Sequence, residues 1–177
     1  MSNFDFIKDE NLRNTLDDAI EFIYVLFKRS KEEGQKELYK EETHRIIILY
    51  VVSAIEAVLL YFYKDRGERI KHPEYKFVQA LSPKFGHSEK KGCPLVIAVQ
   101  EKKEKDQIGM RDLVTFFKAK KLIEEKMAND ILELNDVRNT FHLSKPRAKS
   151  CDVKQVEAAL QLLVHTIENA PKALEKK

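Results

Sequence analysis

From Ile46 to Tyr63 the chain runs for eighteen residues with only Ser53 and Glu56 clearly polar, apart from the tyrosine hydroxyls. As a helix this stretch spans about 27 Å. A helix that is apolar on every side has to be covered on every side. Three settings do that: the centre of a bundle, the seam of a dimer, or a bilayer. The bilayer is the weakest of these, because the hydrocarbon core is about 30 Å thick. Glu56 would also lie near its centre at a cost of a few kcal/mol, and no other segment could join it as a partner span. The sequence therefore predicts no membrane association and a central helix over about Lys36 to Arg66. Tyr50, Tyr61 and Tyr63 are expected at the ends or margin of a seam, where their hydroxyls find partners.

The rest of the chain supplies the cover. With 177 residues, 43% of them apolar, there is room for one ordinary domain with a real core. Five Gly and five Pro are few for a sandwich or barrel. A first helix is predicted over about Asp5 to Glu33, with Leu12, Leu16, Ala19, Ile20, Ile23 and Phe27 as its stripe and Gly34 as its stop. A third is predicted over about Arg111 to Lys120, carrying Leu113, Val114, Phe116 and Phe117. A fourth follows over about Glu124 to Leu143, limited by Pro146. A fifth starts at Asp152, which forms a capping-box pattern with Gln155. Its stripe is Val156, Leu160, Leu163, Val164 and Ile167, and Pro171 is read as its end. Residues 64–109 differ in kind: four of the five Gly and three of the five Pro fall there. Two short runs in that stretch, Tyr75 to Leu81 and Pro94 to Gln100, suit a small hairpin. The expected architecture is all-α: an antiparallel bundle of about five helices, one domain over 1–177, with a small hairpin or loop insertion at about 68–108.

Charge and cysteine content exclude several classes of function. A net charge of +3 from 32 cations and 29 anions is too balanced for a polycation that coats nucleic acid. Two cysteines, Cys93 and Cys151, make neither a disulfide framework nor a multi-cysteine zinc site. His72, His87 and Cys93 show no metal-ligand spacing, and there is no phosphate-binding glycine loop or serine nucleophile elbow. No metal and no cofactor are expected. The first ten residues carry Asp5, Asp9 and Glu10 and no apolar run, as expected of a cytoplasmic chain without a signal peptide.

The fourth helix carries the chemistry. Setting Leu134 at zero and turning about 100° per residue, Met127 falls at about +20°, Ile131 at about +60° and Phe141 at about −20°. Arg138 lies inside that arc at about +40°, and His142 lies on its edge at about +80°. Asn135 and Asn139 extend the polar strip. Desolvating an unpaired guanidinium is costly, so Arg138 needs either a partner or a function. A spacing of four places Arg138 and His142 one turn apart. Such a pair suits phosphodiester chemistry: the guanidinium holds a nonbridging phosphate oxygen and the imidazole moves a proton near neutral pH. In RNA the 2′-OH is an internal nucleophile, so no metal is required. Asn139 could orient the substrate or the imidazole. Lys145, Arg147 and Lys149 follow, suited to phosphate contact or to a solvated loop near a helix C-terminus. The structural alternative pairs Arg138 with Glu56 as a packing device.

The stretch Leu134-Asn135-Asp136-Val137-Arg138-Asn139-Thr140-Phe141-His142-Leu143 resembles the signature of HEPN domains (higher eukaryotes and prokaryotes nucleotide-binding). Their motif is an Arg, usually followed by a polar residue, with a His four to six intervening residues on, late in an all-α bundle. The long apolar helix bearing Glu56 and the closing helix also resemble that frame, over about residues 5–66 and 110–170. Here three residues separate Arg138 from His142, one fewer than the family pattern. The resemblance implies a homodimer whose two motifs share a cleft. It also implies either a metal-independent endoribonuclease, as in toxin–antitoxin or phage-defence systems with a cognate antitoxin protein, or a non-catalytic RNA-binding or protein-interaction module. By the same resemblance Arg138, His142 and Asn139 would be catalytic, with Glu56 and Asn135 in support.

Overall fold

The structure, a computed structural model, describes residues 2–81, 95–105, 107–141 and 151–175. Among them are five helices and one two-stranded sheet: α1 (Glu10–Ser30), α2 (Glu37–Asp65), β1 (Lys71–Leu81), β2 (Leu95–Glu104), α3 (Met110–Ala119), α4 (Glu125–Asn139) and α5 (Val153–Glu175). The chain divides into a helical unit, residues 1–67 and 109–177, and a strand unit, residues 68–108.

The helical unit is an all-α bundle built around α2, which touches α1, α3, α4 and α5. Its core consists of Ile47, Ile48, Val51, Val52, Ile55, Val58 and Leu59, all essentially solvent-free. Among the described residues α2 is the one helix long and apolar enough to cross a membrane, and more than half of its apolar window is buried by the other helices. α1 covers it with Leu16 and Ile23, α3 with Leu113, Val114 and Phe117, and α5 with Val156, Ala159 and Leu163. Tyr63 departs from the expected margin position. It is a core residue, its ring edge-on to Phe116 at 5.1 Å. Tyr50 is exposed, and the Tyr61 hydroxyl accepts from the Lys8 backbone N–H at 3.1 Å.

Several boundaries shift from expectation for local reasons. α1 starts at Glu10 because Asp9 caps it, its Oδ1 accepting from the Leu12 N–H at 3.1 Å. The residues before it form an apolar anchor: Phe4 and Ile7 are fully buried, and Phe6 stacks on Phe62 at 5.4 Å. α1 closes at Ser30, and Gly34 takes up a positive φ of 83° in the following turn. The capping box forms at α5, where the Gln155 N–H donates to Asp152 Oδ1 at 2.9 Å and the Asp152 N–H to Gln155 Oε1 at 3.2 Å. Pro171 does not end α5, which continues to Glu175; one missing amide donor near the last turn is a smaller loss than in mid-helix. Val164, expected on the apolar stripe, is exposed.

In the strand unit β1 and β2 pair antiparallel from Lys71 opposite Glu104 to Leu81 opposite Leu95, with an irregularity between Phe77 and Gln79. Both strands are longer than the apolar runs that predict them. Their outer ends carry Lys71, Glu74, Lys102 and Glu104, which need no core. Pro73 is tolerated opposite Lys102 because both strands of a two-stranded sheet are edges.

If the cover of α2 is what holds the bundle, Ile55→Ala should cost about 2–5 kcal/mol. Tyr39→Ala, at an exposed position on the same helix, should change stability by less than about 0.5 kcal/mol. Denaturant unfolding of both variants checks this.

Candidate functional site

α4 is held against α3 by two surface ion pairs. Arg111 grips Asp136 with Nη2 at 2.7 and 2.9 Å from its two oxygens. Lys118 meets Glu125 at 2.6 Å and holds that carboxyl below its usual pKa. Both pairs are solvent-exposed and accompany the rotation of α4 that burial of its apolar side chains favours. Its buried residues are Met127, Ala128, Ile131 and Asn135, so the inward face is centred about 75° round from Leu134. Leu134 itself is only half-buried. Asn135, expected on the polar strip beside the core, is instead inside it, and among the described residues its Oδ1 has no hydrogen-bond partner. An unsatisfied buried acceptor costs about 1–3 kcal/mol.

One turn further on, Arg138 meets Glu56 of α2, Nη1 to Oε2 at 3.0 Å. Their side chains are 23% and 28% exposed, so the pair is shielded but reaches solvent. Glu56 uses one of the five guanidinium N–H groups. Glu56 therefore orients the group while its other edge keeps donors for an anion. On α2, Glu56 lies about 20° from Leu49 around the helix, at the border between buried residues and an exposed stripe of Ile46, Leu49 and Tyr50. Phe22 of α1 extends that stripe, its ring 4.9 Å from Tyr50. The ion pair thus opens at the edge of an apolar surface.

α4 ends at Asn139, with Thr140 as its cap and the Thr140 hydroxyl donating to the Val137 carbonyl at 2.7 Å. α4 thus ends short of the expected Leu143. Asn139 is the last helical residue and is half-buried. His142, Lys145, Arg147 and Lys149 lie outside the described residues.

Both flanks of that stretch are fixed to neighbouring residues of α2. On one side the Arg45 guanidinium lies over the Phe141 ring at 5.6 Å while bonding Glu41 at 2.7 Å. On the other, His44 Nδ1 donates to the Cys151 carbonyl at 3.0 Å. Sequence reading singles out neither Arg45 nor His44. The signal available was their place at the foot of the apolar run, with Glu41 one turn before Arg45. Burial pushes the Cys151 thiol up to about 12, so it is not a nucleophile near neutral pH. Among the described residues no cluster of His, Cys, Asp and Glu could hold a metal ion. Compared with known protein families, curated proteins and solved structures, the chain matches none.

Two outcomes follow. A double-mutant cycle with Glu56→Gln and Arg138→Met should give a coupling of about 1–2 kcal/mol, between the exposed and buried limits for ion pairs. A coupling near zero in denaturant melts would remove the pair from the stability of the fold. The Cys151 thiol titrates near 9.0 unfolded and about 12 folded. Its proton is held more tightly by the native state, so its contribution is full below about pH 9 and is lost as pH climbs toward 12. On a Cys93→Ser background, Cys151→Ala should flatten the alkaline fall of stability, and native Cys151 should resist thiol reagents at pH 8 until the protein unfolds.

Proposed function

We propose that the chain is a HEPN-like endoribonuclease that works as a cytoplasmic homodimer without a metal. The observation that carries this reading is the Arg138 guanidinium, held by Glu56 at 3.0 Å at the rim of an exposed apolar face. A second copy packed on Phe22, Ile46, Leu49 and Tyr50 would enclose two such pairs in one cleft, strengthening every charge interaction there. In that cleft the free edge of Arg138 binds the scissile phosphate. The 2′-oxygen attacks phosphorus, and the bond to the 5′-oxygen breaks. His142 transfers the proton, and Asn139 orients substrate or imidazole. Lys145, Arg147 and Lys149 supply phosphate contacts along the strand. Asn135 supports Arg138 from the core side. A role as a toxin neutralised by a cognate antitoxin protein follows from the family resemblance.

A second reading is favoured by the same contact. Glu56 competes with phosphate for the guanidinium, and α4 ends at Asn139, three residues before His142. Both suit a HEPN-like module that binds RNA or a partner protein without cleaving. Incubation of the purified protein with single-stranded RNA in EDTA separates the two. The nuclease reading expects cleavage that Arg138→Ala and His142→Ala each reduce at least about a hundredfold. Cleavage that persists in both variants overturns it. Intact RNA whose binding is weakened by Arg138→Ala selects the binding module. Leu49→Glu should convert the dimer to monomer in sedimentation and abolish cleavage along with it.

A further inference from the structure

We infer that the groove between α4 and α5 is a docking site for an amphipathic helix of another protein, one whose apolar stripe is flanked by Lys or Arg. The groove encloses about 680 Å³. Ile48 of α2 forms part of its floor, and Met127, Leu134 and Val137 of α4 face Ala159 and Leu162 of α5 across it. The rotation of α4 that buries Asn135 also leaves Leu134 and Val137 half-buried on this wall. They belong to an apolar row at helical spacing that is only partly covered among the described residues.

Three features choose the occupant. The first is size. The two walls run from Met127 to Val137 and from Gln155 to His165, about 15 Å each at the helical rise. That length matches about three turns of a helix. A helix lying along the groove can set one row of its side chains into it. The second is the nature of the walls. Both are helices whose backbone groups are already bonded, so they offer apolar ridges for helix packing and no edge for strand addition. The third is charge. Glu124, Asp130 and Glu133 line the groove, and among the described residues none of these carboxylates has an ion-pair partner. Lys126 is the one Lys or Arg among the lining residues. The α5 wall presents Gln155, Gln161 and His165, and His165 Nδ1 lies 2.9 Å from the Asn169 amide nitrogen. A surplus of carboxylates around an apolar slot repels RNA phosphate and attracts a cationic rim.

The test uses the full chain and two labelled helical peptides of about 18 residues. They share a Leu stripe, and one is flanked by Lys, the other by Glu. In fluorescence anisotropy the Lys peptide should bind saturably and at least about tenfold more tightly than the Glu peptide. Asp130→Lys with Glu133→Lys, both exposed positions, should reverse that order while leaving the helical circular dichroism unchanged. Val137→Lys should weaken both peptides, and Tyr24→Ala, at an exposed position on α1 outside the groove, should affect neither. Equal affinities, no saturable binding, or a preference that survives the double reversal overturns the proposal. So does displacement of the Lys peptide by single-stranded RNA. A change of oligomeric state on Asp130→Lys with Glu133→Lys also overturns it, because the groove then belongs to a second copy.

Discussion

A helix of 29 residues that is apolar around most of its circumference cannot stand at a surface, and α2 is such a helix. Every other helix of the bundle meets that demand in part. α1, α3, α4 and α5 each lay an apolar face on it, and the arm before α1 adds Phe4, Phe6 and Ile7 at its far end. Burial at about 25 cal/mol per Å² makes this the dominant favourable term. The cover is incomplete on one side, where Ile46, Leu49 and Tyr50 remain between α1 and the end of α4. The exposed stripe is therefore a consequence of the same constraint that forms the core: four helices and an arm do not close around all of α2.

Glu56 sits where that cover runs out. Deeper in the core its charge would demand full compensation; wholly in solvent it would hold nothing in place. At the border it fixes Arg138 through one nitrogen and leaves the guanidinium partly wet. Asn135, three residues earlier, extends the polar character of α4 inward with an acceptor left unsatisfied among the described residues. A pure packing device would be better served by apolar side chains at these positions, which often match or exceed the stability of a buried ion pair. Retaining Glu, Arg and Asn together within the bundle is a stability cost that the proposed phosphate site accounts for.

What could be read from the sequence follows from how local each signal is. The apolar run specified α2 and its central place because no other arrangement covers it. Asp152 and Gln155 specified the start of α5 because a capping box is closed within four residues. The Glu56–Arg138 contact was legible as the structural alternative, since each was the one unexplained charge on an apolar surface. The rotation of α4 was not legible. Met127 and Ile131 are common to a face centred on Leu134 and one centred near Asn135, and the choice depends on packing against other helices, where Ala128 is buried and Arg111 and Lys118 of α3 pair with α4. The end of α4 was misplaced for a smaller reason: the Thr140 hydroxyl takes up the Val137 carbonyl and the chain leaves the helix there, well before Pro146. The arm carrying Phe4 and Ile7 is too short to show any period.

The rotation of α4 also explains how a nearly neutral chain acquires two surfaces of opposite character. Around α4, Asp130 and Glu133 lie about 80° and 140° from Arg138, and the rotation decides which of them faces α2. Turned by about 75°, the helix sends Arg138 and Asn135 toward α2 and leaves Asp130 and Glu133 on the groove beside α5. The net charge of +3 conceals this separation. On the readings proposed above, an anion would meet Arg138 on one face of α4 and a basic helix would meet Asp130 and Glu133 on another. The groove lining includes neither Arg138 nor Glu56, so the two proposed sites share a helix but no side chain.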